Sequence, residues 1–209
     1  MKKLNLLLTT IALIMFAQII NAQILNSAHD FKSKTWNTTG EICKVCHIPH
    51  NGAMLAEAPL WNHALSAVTN YSTYASSTLN ATVGQPDGNS KLCLSCHDGS
   101  VALNNFGGNG VVTPNVYATG AALLGTDLSN DHPVSFTYND ALATTDGSLF
   151  PPSTALSGLG GTINADMLFA GKMQCASCHD VHNGATGTPA HLLIKSNAAS
   201  ALCLTCHDK

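Results

Sequence analysis

Every cysteine of this chain lies in a Cys-x-x-Cys pair, and a His follows each pair at once. The four runs are Cys43-Lys44-Val45-Cys46-His47, Cys93-Leu94-Ser95-Cys96-His97, Cys175-Ala176-Ser177-Cys178-His179 and Cys203-Leu204-Thr205-Cys206-His207. They use all eight Cys of the 209 residues. This is the attachment pattern of haem c: two thiols add to the haem vinyl groups as thioethers, and the adjacent His becomes the proximal iron ligand. A disulfide framework does not require His beside every pair. A tetrahedral zinc site needs four ligands and has no use for a His after each of four pairs. A redox-active Cys-x-x-Cys sits alone in a βαβ pattern, which is not found here. The sequence therefore predicts four covalent haem c groups, bound through Cys43, Cys46, Cys93, Cys96, Cys175, Cys178, Cys203 and Cys206, with His47, His97, His179 and His207 on the irons.

The N-terminus reads as an export signal. Lys2 and Lys3 precede the apolar run from Leu4 to Ile20, and Asn21-Ala22 offers a small residue for cleavage. Residues 1–22 are thus set apart as a signal peptide, and residues 23–209 form one domain that is secreted through the periplasm to the exterior or cell surface. The mature chain is expected to hold no membrane span. Without Lys2 and Lys3, seven Lys face twelve acidic residues, a formal charge of −5, so nucleic acid is not an expected partner. Only 10% of residues are charged and 6% aromatic, so large side chains are too few for a thick protein core. The expected fold class is a multihaem cytochrome c, mostly irregular loop with a few short helices and a haem stack as its core.

Two kinds of site alternate. Cys43-Lys44-Val45-Cys46-His47-Ile48-Pro49-His50-Asn51-Gly52 recurs as Cys175-Ala176-Ser177-Cys178-His179-Asp180-Val181-His182-Asn183-Gly184, and Lys91-Leu92-Cys93-Leu94-Ser95-Cys96-His97-Asp98 recurs as Ala201-Leu202-Cys203-Leu204-Thr205-Cys206-His207-Asp208. The chain is a two-haem unit used twice, over about residues 27–104 and 130–209. Ser90 and Ser200 are expected to cap short helices that run into the second-type sites. A further helix is expected over residues 60–69 after Pro59. A strand is expected over 134–138, and loop over 99–131 and 144–172.

Whether each iron is closed or open depends on a second ligand. Six His remain after the proximal four: His29, His50, His63, His132, His182 and His191. His50 and His182 follow a proximal His by three residues, too near to reach the far face of their own haem, so each is expected to serve the next haem along. His63, His132 and His29 are the other expected ligands, whereas His191 reads as structural. Met54, Met167 and Met173 read as packing. Bis-His irons are six-coordinate and transfer electrons rather than bind substrate, so the chain is not expected to be an enzyme. Five candidates for four positions leave one spare. His29, near the new N-terminus, is the expected donor to a neighbouring copy, and a head-to-tail ligand of that kind builds a homopolymer.

The doubled Cys-x-x-Cys-His pattern, with Ser27-Ala28-His29-Asp30-Phe31, Pro59-Leu60-Trp61-Asn62-His63 and Asp131-His132-Pro133-Val134-Ser135-Phe136, resembles the tetrahaem cytochromes that polymerise into extracellular filaments in metal-reducing bacteria. The resemblance runs through most of residues 27–208. It implies bis-His haems stacked along a filament, one axial His given to the neighbouring subunit, and redox partners or acceptors outside the cell. A soluble periplasmic tetrahaem carrier and a multihaem reductase with one open haem are the competing expectations.

Overall fold

The computed structural model describes residues 24–56, 58–182 and 192–208, so the expected signal peptide, His191 and the repeat residues Asn183 and Gly184 lie outside the described part. The longest element is α1, Gly88–His97, which carries the second Cys-x-x-Cys-His run. Its N-cap is Asp87 in extended backbone, not Ser90. Ser90 sits in the first turn, fully buried, with its hydroxyl bonded to Gln174 at 2.5 Å. The helix stops because Gly99 takes the left-handed conformation (φ 74°) and its N–H bonds Cys96 O, the ordinary use of glycine after a helix end.

The fourth run has no such helix. The 3₁₀ turn Ala198–Ser200 leads toward a second 3₁₀ turn, Cys203–Thr205, and Ser200 is left-handed (φ 62°) rather than a cap. Asn197 takes over capping: its carbonyl receives the Ser200 N–H and its Oδ1 the Leu202 N–H.

The helix expected over 60–69 does not form. Leu60 has φ 59°, and Trp61 exchanges both backbone hydrogen bonds with Ala53 at 2.8 and 2.9 Å. Ile48 N–H bonds Leu60 O and Asn62 N–H bonds Cys46 O, so the segment is pulled flat onto the first haem-attachment run. Non-local backbone pairing has overridden local helix propensity. Gly52 is where this return is tightest: a Cβ there would stand 2.6 Å from the Leu60 backbone.

Strands are two residues long. β1 (Ser72–Thr73) pairs in parallel with β2 (Asp127–Leu128), and β3 (Phe136–Thr137) pairs antiparallel with β4 (Lys172–Met173), with Phe136 opposite Met173. The strand expected over 134–138 is thus only its central pair. Two short helices interrupt the later chain: α2 (Asp140–Asp146), capped by Asn139 and ended by left-handed Gly147, and α3 (Ile163–Asp166), capped by Thr162. The loop expected over 144–172 therefore contains the end of α2, the whole of α3 and the start of β4.

Protein-only packing falls into three small clusters. The largest gathers Phe136, Tyr138, Ile163, Met167, Met173 and Leu202 with Cys206; the second holds Trp36, Val45 and Phe106; the third Tyr71, Leu94 and Leu128. Met167 and Met173 are packing residues, but Met54 is 77% exposed. Among the described residues, no helix is long and apolar enough to cross a membrane.

Candidate haem-attachment site

All eight Cys are free thiols, so no Cys-x-x-Cys pair is closed as a disulfide. In the first, third and fourth runs the His N–H turns back onto the carbonyl of the first Cys, as for His47 on Cys43 at 2.8 Å, His179 on Cys175 at 3.0 Å and His207 on Cys203 at 3.1 Å. Helix α1 supplies the same turn for the second run. A single tight turn thus sets both sulfurs and the imidazole at one place. Burial pushes the thiols of Cys46 and Cys206 up to about 11 and that of Cys96 to about 12. A side-chain hydrogen bond between Cys93 and Cys175, from different runs, together with burial, raises the Cys93 pKa, and the same bond brings Cys175 down to about 7.

Among the described residues, three imidazole pairs define the site. His29 faces His97 with ring centroids 6.0 Å apart, His182 faces His47 at 6.1 Å, and His132 faces His207 at 6.4 Å. Each pair joins one His of a Cys-x-x-Cys-His run to one His outside it. An imidazole nitrogen binds a transition metal at about 2 Å, which puts the centroids of two rings on opposite sides of one metal ~6 Å apart. The observed gaps match that spacing.

The tautomers agree with it. His47 Nδ1–H donates to Pro59 O at 3.1 Å, His97 Nδ1–H to Ala122 O at 2.7 Å, and His132 Nδ1–H to Pro133 O at 2.9 Å. Fixing the proton on Nδ1 leaves the Nε2 lone pair for a metal, as carbonyl-oriented His ligands require. These carbonyls were not read from the sequence, although Pro next to His132 is a local signal for one of them. His29 is held by Phe31, at 5.7 Å between rings, and its Nδ1 is buried without a hydrogen-bond partner. Burial, with repulsion from His97 and His179, lowers its pKa to about 4, so the ring is neutral and able to ligate. Trp61 stands edge-on to His47, and its buried indole N–H likewise lacks an acceptor in the protein, which fits a bound group that carries acceptors of its own.

The other expected ligands are placed differently. His63 is 4% exposed; its Nδ1 lies 2.8 Å from Ala64 O and its Nε2 lies 3.1 Å from Ala102 O. Burial lowers its pKa against the opposing effect of these carbonyls, and its Nε2 also lies 3.6 Å from Cys96 Sγ of the second run. His50 is exposed, and its ring is not one of the three close pairs. His29, near the start of the N-terminal arm, packs against His97 of its own chain. Phe31 and Trp36, with rings 5.1 Å apart, tie that arm down.

Residues 168–209, which hold the third and fourth runs, match the family model described as the doubled CXXCH motif. The match supports a multihaem c-type cytochrome, with covalent haem c on these motifs and electron transport as its chemistry. A fold of few short helices, little sheet and much loop agrees with that class. No curated protein matches the chain.

Proposed function

We propose that the chain carries electrons through four covalent haem c groups, each closed by two imidazoles. The observation that carries this reading is the set of three facing His pairs, each joining a motif His to a distant His at 6.0–6.4 Å. When bound, haem supplies one-electron iron chemistry at each motif. The chain's own part is to hold each group by two thioethers, to fix the imidazole tautomers with backbone carbonyls, and to deny substrates an open position. The ligand pairs are His97 with His29, His47 with His182, and His207 with His132. His50 completes the set at His179 by the repeat, since its counterpart His182 serves the partner motif of the other unit. His63 is not a ligand in this reading. A haem stack then fills the space among the three small clusters.

Copies of this chain assemble as an extracellular filament, a reading supported by the order of motifs it shares with filament-forming tetrahaem cytochromes. The position of His29 against its own His97 favours a second reading, a soluble periplasmic tetrahaem carrier, in which His29 serves its own chain. Electron microscopy of the secreted fraction tests the two. Filaments support the first, and dispersed haem-bearing monomers support the second.

A further inference from the structure

Several hydrogen bonds recur in the two halves, and they identify quasi-equivalent residues that the sequence repeat alone does not align. Asn62 N–H bonds Cys46 O as Ile194 N–H bonds Cys178 O, both at 2.9 Å. Ile48 N–H bonds Leu60 O as Asp180 N–H bonds Leu192 O, and Leu60 and Leu192 are both left-handed. One residue beyond Asn62 and Ile194, His63 corresponds to Lys195. In the second-type runs, Ser95 Oγ–H bonds Lys91 O as Thr205 Oγ1–H bonds Ala201 O, both at 2.9 Å.

The quasi-equivalent pair differs in charge. His63, an imidazole whose pKa burial lowers, lies with Nε2 3.6 Å from Cys96 Sγ. Lys195 instead donates its ammonium to Thr205 Oγ1 at 2.9 Å, within the fourth run, and to Ser157 O at 2.7 Å. The carboxylates differ too. Asp98, beside the second run, is 6% exposed and receives hydrogen bonds from Tyr71 at 2.6 Å, Ser66 at 2.5 Å and the Ser100 N–H at 2.7 Å. Its counterpart Asp208 is exposed, where water screens it. Lys91, on α1 two residues before Cys93, holds its ammonium 5.0 Å from the Tyr71 ring centroid. Asp166 lies beyond Ser157, tied to that hydroxyl and to the Gly161 N–H.

We propose that Lys195 raises the reduction potential of the site at Cys203–His207 above that of the quasi-equivalent site at Cys93–His97, so that electrons within one chain run from the second motif to the fourth. The proposal rests on the reading that these motifs hold haem. One electron entering an iron lowers its positive charge by one unit. A fixed ammonium bonded into the motif favours that change, and a buried carboxylate opposes it, more strongly than either would in water.

Potentiometric titration of the purified haem-loaded protein, followed by NMR with haem methyl signals assigned, tests the order. The fourth site is reduced before the second in the native chain; the reverse order overturns the proposal. In Lys195→Met, the reduction equilibrium of one haem falls about tenfold, or about 59 mV for one electron, while Lys195→Arg titrates as the native protein. A Lys195→Met titration superimposable on the native one, or an Arg variant shifted as far as Met, overturns the assignment to charge. If Lys195→Met does not accumulate with four haems, the native reduction order decides. A native chain that carries no haem refutes the underlying reading instead, and is recognised before any titration begins.

Discussion

The ring of His182 stands 6.1 Å from the ring of His47, although the two belong to opposite copies of the repeated unit. His182 is three residues past His179, so a metal held by it and His47 would join the two copies of the repeat through a ligand. Replacing His182 by Ala should leave all four haems attached, because no thioether is touched, but should open one iron. Carbon monoxide binding at one site per chain, absent in the native protein, is the expected result; no binding refutes the pairing.

His29 and His63 make a matched contrast. The first faces His97 at 6.0 Å, and the second has both nitrogens against backbone carbonyls. His29→Ala should produce a high-spin EPR signal, and His63→Ala should leave the spectrum low-spin. If only His63→Ala gave the high-spin signal, the ligand assignment would be wrong.

Helix α1 is clamped to the third motif by Gln174, which is 3% exposed. Its Oε1 accepts from Ser90 Oγ at 2.5 Å, Ser90 N at 3.2 Å and Ser135 Oγ at 3.1 Å, and its Nε2 donates to Asp87 at 2.9 Å. Gln174→Leu strands these buried donors and should cost about 1–3 kcal/mol in chemical denaturation. An unchanged denaturation midpoint would show that the clamp is not under load.

Asp87 gives this clamp an acid limit. Burial pushes its carboxyl up, but the Lys172 ammonium, the Gln174 amide and the Ser135 hydroxyl outweigh burial and hold it below 3.8. A carboxylate depressed in the folded state stabilises above its unfolded pKa, and that contribution is lost as pH falls through the folded value. Asp87 and Lys172 are 47% and 36% exposed at their side chains, so the pair contributes at most about 1 kcal/mol. Melting curves of Asp87→Asn should lie below the native protein at pH 7 and converge with it below pH 3.8. A gap that widens in acid would contradict the sign.

The expectation of haem attachment rests on contiguous residue types, two thiols and an imidazole within five positions, and the expectation that His182 serves another haem rests on its place three residues past His179. What could not be read depended on distant backbone. Residues 60–69 carry helix-forming side chains, yet the Ala53 and Cys46 backbone claims Trp61 and Asn62. His63 is an expected ligand, and the carbonyl of Ala102, 39 residues away, lies 3.1 Å from its Nε2. Ser90 resembled a helix cap, but its hydroxyl is spent on Gln174, 84 residues away. His29 and His132, which face the paired second-type motifs, share only an adjacent Asp, and Asp30 follows one while Asp131 precedes the other.

Intact-mass spectrometry of the purified exported protein probes the central claim most directly, because thioether links survive denaturation and unligated haem does not. A mass equal to the processed polypeptide plus four haems is expected, with all eight thiols refractory to alkylation. A mass equal to the bare chain, with eight thiols free to alkylate, would contradict it.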